Sequence, residues 1–92
     1  MGEARQSVVI INKRGLHARA SAKFVEAVSL LPDGTGVQVA KDGACAAGAS
    51  ILGLMMLGAA KGDTVEIIVE GNEADRALDQ LVTLVATGFG EE

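Results

Sequence analysis

Hydrophobic residues along this chain change period several times, and each change marks a new element. From Ser7 to Asn12 the β-branched run Val8-Val9-Ile10-Ile11 predicts a strand buried on both faces or nearly so, broken by Lys13-Arg14-Gly15. From Ala18 onward, Ala20, Phe24, Ala27, Val28 and Leu31 recur at helical steps, and Pro32-Asp33-Gly34 brings turn chemistry after them. Val37 and Val39 alternate with Gln38 and Ala40, Asp42-Gly43 reads as a hairpin turn, and a short strand over 44–47 pairs back. Ser50 suits a helix N-cap ahead of the apolar stretch Ile51 to Leu57, which Gly58 closes. From Thr64 to Glu70, Val65, Ile67 and Val69 face one way and Glu66 and Glu70 the other, with Ile68 alone breaking the polar side. Ala74, Ala77, Leu78, Leu81, Val82 and Val85 form the stripe of a last helix. The order β-α-β-β-α-β-α predicts an α+β open-faced sandwich, a four-stranded antiparallel sheet with three helices on one face, in a single domain over residues 1–92.

Composition narrows the function classes. A chain of 92 residues builds one core and leaves no room for a deep enclosed site. The net charge is -4, the basic residues are scattered along the chain, and Phe24 and Phe89 are the only aromatics, which together exclude a nucleic-acid partner. Residues 43–60 carry no charge, but glycines at 43, 48, 53 and 58 and many alanines make the stretch too weakly apolar for a membrane span. A soluble, cytoplasmic and monomeric protein is expected. Cys45 has no partner for an internal disulfide and is expected to be a small buried apolar residue. One histidine, no paired cysteines and no GxGxxG or GxxxxGK[ST] loop predict no metal, cofactor or nucleotide site.

Chemistry then concentrates at Gly15-Leu16-His17-Ala18-Arg19, where a loop turns into the first helix. None of Gly15, Leu16, His17 or Ala18 offers a hydroxyl or carboxylate to cap that helix. Its first N–H groups, those of Ala18 and Arg19 among them, and the positive end of its dipole are therefore expected to be free for an anion. The same potential favours a neutral, nucleophilic His17. Arg19 has the reach to hold an oxyanion at that end, and Gly15 lets a ligand or partner backbone come close. The plainer alternative, a solvated or capping histidine beside a surface arginine, stays open on these residues alone.

The segment Asn12-Lys13-Arg14-Gly15-Leu16-His17-Ala18-Arg19, continuing Ala20-Ser21-Ala22-Lys23-Phe24-Val25, resembles the active-site segment of the HPr family, histidine phosphocarriers of the phosphoenolpyruvate-dependent phosphotransferase system. A second segment, Gly48 to Gly58, is similar to that family's regulatory-serine helix, and the element order matches over almost the whole chain. The resemblance implies that His17 is phosphorylated on Nδ1, the pros nitrogen, with Arg19 steadying the phosphate. It implies Enzyme I as donor, an EIIA-type domain as acceptor in a sugar or nitrogen-regulatory branch, and an HPr kinase/phosphorylase acting on Ser50. It implies a stoichiometric carrier, not an enzyme; the alternative is a regulatory protein of the same fold whose partner contacts depend on phosphorylation. The family often has proline after the arginine, where this chain has Ala20. Partners would dock around Ala20 and on the second helix, since Ile51, Leu52, Leu54, Met55 and Met56 cannot all point inward from so short a segment.

Overall fold

The computed structural model describes residues 2–91. Strand β1 (Gly2–Val9) leads to α1 (Ala18–Ser29), a hairpin of β2 (Gly36–Lys41) and β3 (Ala44–Ala47), α2 (Ile51–Met56), β4 (Thr64–Gly71) and α3 (Ala74–Ala86), and a single 3-10 turn (Gly88–Gly90) follows. The sheet is antiparallel in the order β1-β4-β2-β3. Its register pairs Val8 with Val65, Val39 with Ile67 and Ala46, and Val37 with Val69, so one face carries an unbroken apolar layer. Phe24 of α1, Leu54 of α2 and Leu81 and Val85 of α3 close over that layer, and all four are essentially inaccessible to water. The α+β open-faced sandwich read from the hydrophobic pattern is the fold observed.

Three local expectations change. The first strand lies earlier than Ser7–Asn12 and alternates: Val8 and Ile10 are buried, while Val9 and Ile11 are 46% and 48% exposed. It is an edge strand with one bare face, so its first six residues need no apolar run and are held by pairing with β4. Cys45 is exposed, because Ala46 takes the inward position in β3 and alternation turns Cys45 to the uncovered face. Ala20 and Leu54, expected on a docking surface, are both fully buried, Ala20 on the core side of α1 and Leu54 beneath α2.

The hairpin turn is as the sequence demands: Asp42 and Gly43 both take positive φ, 51° and 85°, the pair of left-handed residues that matches strand twist. Ser50 caps α2 by accepting from Gly53 N at 2.9 Å. Gly58 leaves α2 at φ 67°, its N–H donating to Met55 O. Among the described residues no helix is long and apolar enough to cross a membrane.

Candidate functional site

The loop between β1 and α1 is fastened at several points before it reaches His17. Ile10 N donates to Asp63 O and Ile10 O accepts from Gly62 N, both at 2.8 Å, which ties the end of β1 to the loop before β4. Leu16 N donates to Ala59 O at 3.0 Å, and the buried Ser21 Oγ donates to Leu16 O at 3.2 Å. Gly15 is buried with φ 62°, and a β-carbon there would overlap Ala59 O and Ala60 Cα. The close approach it permits is thus to this chain's own backbone, not to a ligand.

His17 itself caps α1. Its Nδ1 accepts from Arg19 N at 3.2 Å, and its carbonyl accepts from Ser21 N at 2.9 Å. The helix end expected to be bare is therefore occupied by the imidazole, with the lone pair of Nδ1 aimed at the Arg19 amide. A hydrogen bond from a backbone amide has one direction only, so Nδ1 is the acceptor nitrogen in this arrangement.

The other ring nitrogen meets a residue the hydrophobic pattern does not single out. His17 Nε2 lies 2.8 Å from Glu91 Oε2, and both side chains are 17% exposed. Glu91 Oε1 in turn accepts from Nδ2 of the buried Asn12 at 3.1 Å, and the same Nδ2 donates to Gly15 O at 2.9 Å. The Glu91 carboxyl feels opposed effects. Burial raises its pKa, but the hydrogen bonds from Asn12 and His17 and the charges of His17 and Lys23 outweigh that and hold it below the ordinary glutamate value.

Glu91 reaches His17 because the chain after α3 doubles back. Gly88, Phe89 and Gly90 all take positive φ, from 58° to 74°, and Phe89 is driven fully into the core. A left-handed phenylalanine costs about 1–2 kcal/mol, and burying its ring returns about 2–3. Lys23 Nζ of α1 donates to Phe89 O at 2.8 Å and pins the turn. A readable signal existed: one of only two aromatics in the chain stands between two glycines just beyond a helix.

Around the imidazole lies a shallow depression of about 230 Å³ lined by Lys13, Arg14, His17, Arg19 and Glu91. Three of the chain's eight Lys and Arg residues therefore converge here, although they look dispersed along the sequence. Such a cluster at a helix N-terminus attracts oxyanions. The model of the family described as PTS HPr component phosphorylation site matches residues 4–87. The chain belongs to the HPr family of phosphotransferase-system phosphocarriers. It is similar to the phosphocarrier protein HPr of Neisseria meningitidis, with 45% identity over 95% of this chain and 96% of that one. It is similar also to the phosphocarrier protein NPr of Shewanella violacea, with 40% identity over 99% and 98% of the two chains. Among solved structures, HPr from Thermoanaerobacter tengcongensis superposes with a TM-score of 0.86 at 38% identity, covering 100% of this chain and 99% of that one. In this HPr-family chain Ser50 lies at the start of α2, where Ile51, Leu52, Met55 and Met56 are 40%, 67%, 40% and 78% exposed.

Proposed function

We propose that His17 carries a phosphoryl group on Nδ1, accepting it from phospho-Enzyme I and passing it to an EIIA-type domain of a sugar or nitrogen-regulatory branch. The observation that carries this reading is the seat of Nδ1: at the N-cap of α1, in a depression lined by Lys13, Arg14 and Arg19. As the Nδ1 lone pair attacks phosphorus, the Nδ1–P bond forms and the donor's bond to phosphorus breaks, its electron pair staying with the donor. The Arg19 N–H, released from Nδ1, then donates to a phosphoryl oxygen, so the phosphate takes over as cap. The three cations offset the charge of the transferred group. The chain turns nothing over; it is consumed and restored stoichiometrically.

Ile51, Leu52 and Met55, with Met56 beside them, form the apolar docking surface in this reading, without Ala20 and Leu54. Ser50 is a regulatory phosphorylation site for an HPr kinase/phosphorylase: a phosphate on Oγ sits at a helix N-terminus without refolding it, yet places about two negative charges beside Ile51 and Leu52. Incubation with phosphoenolpyruvate and Enzyme I tests the central claim. An acid-labile phosphate on the wild type that His17→Ala cannot acquire supports it, and no phosphate on either protein removes it. Ser50→Asp is expected to slow uptake from Enzyme I, and equal rates would remove the regulatory role.

A further inference from the structure

We propose that Glu91 is a positioning residue for phosphoryl transfer, its carboxylate holding the imidazole proton of His17 on Nε2 so that the lone pair of Nδ1 is presented to phosphorus. This role rests on the carrier reading of His17 and extends it to a residue 74 positions away in the chain. Two observations meet on the ring. The amide of Arg19 donates to Nδ1, which obliges that nitrogen to be unprotonated, and the carboxylate at 2.8 Å from Nε2 accepts only. In a neutral imidazole both demands are met by a single tautomer, with the hydrogen on Nε2.

The carboxylate is itself held. Asn12 Nδ2 fixes Oε1, and the turn around Phe89, buried at its ring and bonded through its carbonyl to Lys23, fixes the backbone before it. Glu91 therefore acts on Nδ1 through the ring without reaching the phosphate, since the two nitrogens face opposite ways. Its ionisation below the ordinary glutamate value keeps it an acceptor throughout the neutral range. The proton on Nε2 also matters for the onward step. When the acceptor attacks, the P–Nδ1 bond breaks and its electron pair returns to Nδ1. With Nε2 protonated, the departing ring is neutral imidazole, whereas a ring lacking that proton would leave as an anion.

A glutamine at 91 separates these demands from simple bulk. Its amide has one oxygen, and the donor Asn12 Nδ2 claims it, which turns the NH2 group toward His17 Nε2 and favours the tautomer with hydrogen on Nδ1. Glu91→Ala leaves Nε2 without either influence. The experiment is two-bond 1H–15N spectroscopy of the imidazole, about two pH units above the ordinary histidine pKa, on wild type, Glu91→Gln and Glu91→Ala. Phosphate uptake from phosphoenolpyruvate and Enzyme I is measured on the same samples. The wild type is expected to show the Nε2–H tautomer almost alone and both variants a mixture, richer in Nδ1–H for glutamine. Uptake is expected to fall on the order of tenfold, the low end of the loss when a metal-bound histidine loses the partner that orients it. Unchanged tautomers in both variants, or changed tautomers with unchanged uptake, would overturn the role. A wild type that takes up no phosphate would instead sink the carrier reading, so the two failures are distinct.

Discussion

At the scale of single residues, the site is a set of small atoms that leave no slack. Gly15 carries no β-carbon because Ala59 O occupies that space, and its φ of 62° suits glycine for a second reason. Gly15→Ala is expected to destabilise the fold by about 2 kcal/mol in urea unfolding. It is also expected to slow phosphate uptake more than the stability loss explains, because Leu16 and His17 follow directly. Glu91 gives a prediction in pH. Its carboxyl has a lower pKa folded than unfolded, so its stabilising effect is complete above the ordinary glutamate pKa and is lost as pH falls through the lower folded value. The difference in urea midpoint between wild type and Glu91→Gln should therefore shrink as pH falls below the ordinary glutamate range. That His17 and Arg19 meet at the start of α1 was legible from the sequence, because the helical period begins at Ala18 directly between them. Glu91 was not: Gly88-Phe89-Gly90 signals a turn after the helix, but no local pattern says that this turn brings Glu91 onto a residue 74 positions earlier.

Elements were read well wherever periodicity and turn chemistry agreed. Strand β4 alternates cleanly, α3 has a full stripe, and Asp42-Gly43 forces the hairpin, so these were visible at once. Strand β1 was misplaced because only its last residues are apolar; its polar half is specified by pairing with β4, a long-range relation that no local window contains. Helix α2 is the shortest helix and depends most on its cap. Ser50→Ala is expected to cost about 1 kcal/mol. Gly53 looks like a weakness inside it, yet a β-carbon there would stand 3.0 Å from Ser50 Oγ. The glycine makes room for the cap. Gly53→Ala should thus gain less stability in the wild type than in a Ser50→Ala background, a coupling that a double-mutant cycle in urea measures directly.

Across the whole molecule, charge and apolar exposure are separated. The chain is acidic overall, but Lys13, Arg14 and Arg19 gather around His17, and α2 exposes Ile51, Leu52, Met55 and Met56. A partner meeting both would be oriented by the first and gripped by the second. Met56 is 78% exposed, so Met56→Glu should leave the melting temperature nearly unchanged while slowing transfer from Enzyme I severalfold. Equal transfer rates would place the grip elsewhere. All the helices lie on one side of the sheet, and the opposite side carries Glu3, Arg5, Ser7, Gln38, Glu66 and Glu70 with Val9 and Ile68 among them. Cys45 is exposed on that opposite side, on strand β3. The lone thiol therefore offers a natural handle: a dye or a bead coupled through it would sit behind the molecule, and phosphate traffic could be watched on an immobilised carrier with its working face unobstructed.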